Sequence, residues 1–318
     1  MIKILIIGAG AWGTALTHIL AKNNSNVFIW SRNKNISKEI NLKKTNSKYF
    51  PKKKLSKNIR SIYGNFSTDK FDYIFYVLPA SIFTTFSKKY LFGKKISNLI
   101  LCSKGVTSDG KFLSDEAEKN LNINNLFYLS GPSFADEVIN GKMTALSMSS
   151  LNKSKKIGNL FKGSNIRIYF SKNLKSLEYL SIYKNAYAIG AGIIDSIKLG
   201  NNAKAAYITR CISEIKKSMK YLKLETSSIN SLGGLGDIIL SCNSSKSRNY
   251  SYGYNLINKR NSKTKKTIEG LNTCLSFSKN KKIRVNDQPI LNSIINIING
   301  SSPNKEIEKL FTRNFKSE

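Results

Sequence analysis

Histidine is nearly missing: the chain has one, His18, among 318 residues. Any mechanism that moves protons through an imidazole would have to use it, and it sits inside an apolar helical stretch, where a structural role is expected. Cysteine is scarce too. Cys102, Cys211, Cys242 and Cys274 lie far apart with no C-x-x-C pair. Neither a zinc site nor a disulfide framework is indicated, and no metal is expected. Acidic residues number 19 against 52 Lys+Arg, a formal net charge of +33. Such an excess ordinarily suggests nucleic acid or an anionic membrane surface. The lysines, however, are spread along the whole chain, and the aromatics fall on apolar segments rather than between basic clusters. No specific nucleic-acid interface is therefore expected. Lys52-Lys53-Lys54 and Lys263, Lys265 and Lys266 read as solvated loops. No apolar run is long enough to span a bilayer, and no basic segment precedes the first one. A soluble, reduced, cytoplasmic protein without a signal peptide is expected.

What is present is a complete βαβ nucleotide-binding unit over residues 2 to 32. An apolar run, Ile2 to Ile7, is followed at once by Gly8-Ala9-Gly10-Ala11-Trp12-Gly13. Thr14 to Lys22 then read as a helix and Asn26 to Trp30 as a second strand. Gly8 permits the tight turn, Gly10 lets a pyrophosphate approach the backbone, and Gly13 lets helix and strand pack closely. The pattern gains its force from lying between a strand and a helix. At the end of the second strand an NAD site usually presents a carboxylate to the ribose 2′-hydroxyl. Here stand Trp30, Ser31, Arg32 and Asn33, with no carboxylate before Glu39. A guanidinium suits a 2′-phosphate, so NADPH is the expected preference and NADH the alternative. A solvated surface arginine is the other reading of Arg32.

Strand-like runs recur at Tyr73–Val77, Leu99–Cys102, Leu126–Leu129, Ala145–Ser149 and Ile166–Phe170, with helical stretches at Ala80–Tyr90, Leu113–Asn120 and Lys153–Phe161. This alternation predicts an α/β fold, a Rossmann-like, mostly parallel sheet with helices on both faces. After about Asn173 the β signal stops. Leu174 to Ile197 read as one long helix, Ala203 to Leu222 as a second, and the remainder as largely helical with a loop around Ser241–Tyr250. The expected division is a dinucleotide-binding domain over residues 1–173 and an all-α-helical substrate domain over 174–318. A cleft between them is the expected site.

Hydride transfer to a carbonyl needs a proton donor beside the oxygen and cations to stabilise growing negative charge. With histidine set aside, lysine is the natural candidate. Lys104 follows a strand in Cys102-Ser103-Lys104-Gly105, and Lys184 lies among small apolar residues on the long helix. An isolated ammonium there must be compensated or must work. Three glycine-bearing or polar segments add to these. Gly131-Pro132-Ser133-Phe134-Ala135 follows a strand. Gly233-Gly234-Leu235-Gly236-Asp237 ends in a carboxylate that could equally be a helix N-cap. Ser247-Arg248-Asn249 suits phosphate oxygens.

In this order, together with Lys184-Asn185-Ala186 through Gly192 and Ile268-Glu269-Gly270, the segments resemble the bacterial NAD(P)-dependent sn-glycerol-3-phosphate dehydrogenases. The resemblance runs from Ile4 to about Thr273. It implies reduction of dihydroxyacetone phosphate, or oxidation of sn-glycerol 3-phosphate, in support of phospholipid synthesis. It implies Lys184 as general acid/base, and Lys104 in contact with both substrate and cofactor. Gly131, Ser133, Asp237, Ser247, Arg248 and Asn249 match substrate positions. Gly8, Gly10, Ala11, Trp12, Gly13, Arg32, Ala135, Arg248 and Glu269 fall at cofactor positions. Ser241 stands where threonine is common and keeps the hydroxyl. A homodimer is the oligomer considered, and no second, regulatory site is visible. The competing readings are a ketopantoate reductase or β-hydroxyacid dehydrogenase of similar build, and a catalytically silent NADP sensor. The carboxylate-binding enzymes would not call for Asp237 together with Ser247-Arg248-Asn249.

Overall fold

The structure, a computed structural model, describes residues 1–150, 156–257, 268–279 and 287–313. Two expectations fall partly or wholly outside these residues: the start of the Lys153–Phe161 helix and the Lys263, Lys265, Lys266 loop. The chain opens with β1 (Lys3–Ile7), α1 (Ala11–Asn23), β2 (Asn26–Trp30), α2 (Lys34–Lys43), β3 (Ile59–Ile62) and β4 (Tyr73–Tyr76). There follow α3 (Phe83–Tyr90), β5 (Lys95–Leu101), α4 (Leu113–Asn120), β6 (Asn122–Ser130), α5 (Ala135–Ile139), β7 (Thr144–Ser150) and β8 (Ile166–Ser171). The eight strands form one sheet in the order β3-β2-β1-β4-β5-β6-β7-β8. Every pairing is parallel except β6 with β7. Ile4, Leu5, Ile6 and Ile7 are wholly buried between β2 and β4, which is why β1 reads as an unbroken apolar run rather than an alternating one. The strand order reverses beside β1, so a crevice opens at the carboxyl ends of β1 and β4.

From α6 (Leu174–Ser196) onward the described residues are helical: α7 (Gly200–Tyr221), α8 (Asp237–Cys242), α9 (Arg248–Ile257), α10 (Glu269–Lys279), α11 (Pro289–Ile298) and α12 (Pro303–Phe311). Helix α6 is apolar on nearly all sides because its neighbours surround it. Its small residues permit the contact with α9. A Cβ on Gly192 would lie 2.0 Å from the Tyr250 carbonyl oxygen, and one on Gly253 equally close to that of Ile189. No helix among the described residues is long and apolar enough to cross a membrane.

Several elements differ from their sequence signals. Residues 80–82 form a separate 3₁₀ turn before α3, and residues 156–161 are 3₁₀ rather than α. The Ser241–Tyr250 loop shrinks to residues 243–247, since α8 runs through Cys242 and α9 begins at Arg248. The polar composition there belongs to two helix ends, whose unpaired backbone groups attract Ser and Asn. Strand β3 and helix α2 carried no strong periodicity. They are held by tertiary bonds, Asn41 exchanging hydrogen bonds with the backbone of Ser61 in both directions.

Candidate active site

The glycine turn is held tight between β1 and α1. Gly8 has φ +125° and donates its N–H to the Trp30 carbonyl. At Gly13 a Cβ would lie 1.9 Å from the Gly8 carbonyl oxygen, so any side chain would push α1 off the turn. A Cβ on Gly10 would meet nothing within 4 Å, so the turn is open at that residue. Ala11 and Trp12 begin α1, whose first turn carries no acidic residue to oppose an anion. Asn46 buttresses the turn from behind, its amide donating to the Ala9 carbonyl (3.1 Å) and to Thr14 Oγ1 (2.8 Å). A polar residue in a loop gave no sequence signal for that role. At the end of β2, Arg32 is exposed, and its side chain has no hydrogen bond or ion pair among the described residues. His18 lies away from this surface. Its Nδ1 accepts the Ser56 N–H, and burial, with Lys22 and Lys53 adding, pushes its pKa down to about 4.

The second half of the cleft is a buried ion cluster assembled from both parts of the chain. Lys104, just beyond β5, donates to one carboxylate oxygen of Asp237 and to the Gly131 carbonyl (3.1 Å). Lys184, midway along α6, lies 3.3 Å from the other oxygen of Asp237 and donates to Ser241 Oγ at 2.9 Å. One carboxylate thus bridges two ammoniums. Asp237 is therefore not a helix cap: Gly236 holds that position, and Asp237 is the first residue of α8. Burial alone would raise the pKa of Asp237, but Lys104 and Lys184 together hold it below the usual carboxylate range. Burial lowers the pKa of Lys104, and Lys184 adds to that, against the pull of Asp237. Gly131 has φ +149°, and a Cβ there would meet Leu146 at 3.0 Å. Its carbonyl also accepts the Ser133 hydroxyl. Ala135 opens α5 and, like Trp12, packs against the core on one face of the sheet.

Around this cluster, Ser247 sits just before α9 and its hydroxyl accepts the Tyr250 N–H at 3.4 Å. Arg248 is exposed in the first turn of α9. Asn249 is buried and its side chain is committed. Its Nδ2 donates to Asn185 Oδ1 (2.8 Å) and its Oδ1 accepts the Gly270 N–H (2.9 Å). Asn185 in turn donates to Glu269 at 3.3 Å. Asn185 thus ties α6, α9 and α10 together next to Lys184. Lys246 reaches across to Glu137 (2.6 Å) and Asp136 (3.2 Å), fastening the start of α9 to α5. Direct contacts join Lys104, Gly131, Ser133, Lys184 and Asp237, and Asn249 and Glu269 meet through Asn185. Arg32 stands apart at the far end of the sheet crevice. A separate recess lies between α6, α7, α11 and α12, where apolar residues such as Ile193, Ile290 and Ile294 stand beside Arg210, Glu214, Lys217 and Asp287.

Comparison with known proteins gives a consistent result. The model of the NAD-dependent glycerol-3-phosphate dehydrogenase N-terminus matches residues 3–156, and that of the C-terminus matches residues 173–309. The glycerol-3-phosphate dehydrogenase [NAD(P)+] of Erythrobacter litoralis is 31% identical over 324 residues, covering 99% of this chain and 98% of its own. That of Clostridium botulinum strain Alaska E43 is 32% identical, covering 100% and 99%. Among solved structures, glycerol-3-phosphate dehydrogenase (gpsA) from Coxiella burnetii superposes with a TM-score of 0.87 at 26% identity, covering 98% of this chain and 99% of that one. A probable 2-dehydropantoate 2-reductase from Bacillus subtilis reaches a TM-score of 0.58 at 14% identity and shares the fold alone.

Proposed function

The chain belongs to the NAD-dependent glycerol-3-phosphate dehydrogenase family, and on that premise we propose how its own residues carry out the reaction. It is an NAD(P)-dependent oxidoreductase, and the reaction we assign interconverts dihydroxyacetone phosphate and sn-glycerol 3-phosphate. The residues present fit a dinucleotide. The turn at Gly8 to Gly13 is open at Gly10, α1 begins without an acidic residue, and Arg32 is exposed where a 2′-phosphate would lie. Residues 1–173 are proposed to hold the cofactor, through Gly8, Gly10, Ala11, Trp12, Gly13, Arg32 and Ala135, with Arg248 and Glu269 reaching it from the helical part. When bound, the nicotinamide supplies or accepts the hydride at C2.

Lys184 Nζ gives its proton to the C2 oxygen during reduction and takes it back during oxidation. Asp237 and Ser241 fix that nitrogen in place. Lys104, anchored by the Gly131 carbonyl and Asp237, keeps a second positive charge beside the developing alkoxide. Arg248 and Ser247, at the start of the ten-residue helix α9, suit the substrate phosphate. Asn249 acts from behind, holding Asn185 and the start of α10. NADPH is proposed as the preferred cofactor, and the product as a supply for phospholipid synthesis.

The observation that carries this reading is the single carboxylate of Asp237 joining Lys104 from the sheet to Lys184 from the helices. The test is cofactor oxidation with dihydroxyacetone phosphate set against ketopantoate and a β-keto acid. Turnover confined to the phosphate substrate is expected. A preference for either carboxylate would overturn the assignment, and no turnover with any of them would point to a sensor.

A further inference from the structure

We propose that Thr273 is a further positioning residue, its hydroxyl holding the carboxamide of the nicotinamide at the Lys104 end of the cleft. The proposal rests on the cofactor reading above. Thr273 lies one turn after Glu269 on the same face of α10 and is 1% exposed. Its hydroxyl oxygen is buried without a hydrogen-bond partner. A buried helical threonine normally satisfies itself by donating to the carbonyl four residues earlier. Buried Thr17 does so in α1, donating to Gly13 at 2.6 Å, and exposed Thr209 in α7 makes the same bond to Ala205 at 3.0 Å. Thr273 does not make that bond. Its hydroxyl is held available, and a buried polar group left unpaired is otherwise unfavourable.

Thr273 lines a narrow recess with Pro79, Ser81, Lys104, Gly105 and Glu269. That recess lies past the carboxyl ends of β4 and β5, beyond the strand-order reversal, on the side where the nicotinamide half of a dinucleotide lies. Gly105 keeps the wall open. A Cβ there would stand 3.3 Å from Ala80 Cβ and 3.8 Å from Thr273 Oγ1, on a backbone with φ +138°. The polar groups match a carboxamide. The Glu269 carboxylate accepts from its N–H₂, and the Thr273 hydroxyl donates to its carbonyl oxygen. Two such bonds fix the rotation of the ring and so the face it turns toward C2.

The test compares Thr273→Val, which keeps the side chain's shape, with Thr273→Ser, which keeps the hydroxyl. NADPH affinity is measured by direct binding, beside that of 2′-phospho-ADP-ribose, which is the cofactor without its nicotinamide. In Thr273→Val, NADPH should bind roughly three- to tenfold more weakly, the worth of one hydrogen bond, while the fragment keeps its affinity. The ligand-free melting temperature should stay level or rise, because an unsatisfied hydroxyl has been removed. Thr273→Ser should bind NADPH within about twofold of the parent. Unchanged NADPH affinity in Thr273→Val, an equal loss for both ligands, or a lowered ligand-free melting temperature would each overturn the proposal. A parent enzyme that binds neither ligand would overturn the cofactor reading itself, and the proposal with it.

Discussion

Asp237 is buried between Lys104 and Lys184, so its charge keeps two ammoniums from facing each other across a few ångströms. Removing one partner from a buried ionic cluster is expected to lower stability by on the order of 3 kcal/mol. Asp237→Asn should therefore unfold at markedly lower denaturant and lose turnover, and an unchanged unfolding midpoint would contradict the bridging role. Arg32 makes the opposite case, an exposed cation whose expected partner is the cofactor. Arg32→Asp should reverse the NADPH over NADH preference by repelling the 2′-phosphate. An unchanged ratio of the two affinities would remove Arg32 from the site. At this scale the sequence made part of the candidate site legible. The positions of Lys104 and Lys184, after a strand and inside an apolar helix, were signals in themselves. The meeting of both with one carboxylate more than fifty residues further on was not, because Asp237 at a helix start looks like a cap. Asn46 was invisible for a similar reason: it acts through tertiary bonds, and nothing local distinguishes it from a loop residue.

Helix α1 serves folding and, in the proposed reading, cofactor binding as well. Gly13 touches the Gly8 carbonyl, and His18, further along, anchors the segment at Ser56. Gly13→Ala should displace the start of α1 and weaken NADPH binding at least tenfold, read by direct titration. Binding equal to the parent's would mean that the turn tolerates the shift. For His18 the sign follows from its depressed pKa. The folded state protonates near 4 and the unfolded chain near 6.5, so the unfolded state takes the proton first and stability falls as pH drops below 6.5. The drop in denaturant midpoint between about pH 7.5 and about pH 5 should shrink in His18→Asn, which retains an acceptor but cannot ionise. An equal drop in both proteins would contradict this. Long, strongly patterned elements such as β1, α6 and α7 were legible from the sequence. The short ones, β3 and the first turn of α9, were not, since tertiary bonds and packing decide them rather than periodicity, and α8 was legible in its start at Asp237 but not in its end.

Across the whole molecule, the sheet supplies the glycine turn and Lys104, and the helices supply Lys184, Asp237 and the Ser247–Asn249 segment. Lys246, paired with Asp136 and Glu137, ties the two parts together beside the cleft. The net charge of +33 raises the local concentration of anionic substrate and cofactor without defining a binding stripe of its own. The alternation of strands and helices, followed by the loss of β signal, was enough to give this architecture, but not the closeness of the junction at which the ion cluster forms. That junction makes Lys184, the proposed proton donor, the point on which the account converges. Lys184→Met keeps the apolar stem of the side chain and removes only the charged nitrogen. The decisive measurement is its turnover of dihydroxyacetone phosphate beside its NADPH affinity by direct binding. Turnover should fall by about 10²–10⁴, the usual worth of a positioned general acid, while NADPH affinity stays near that of the parent. A Lys184→Met enzyme retaining most of its rate would contradict the account.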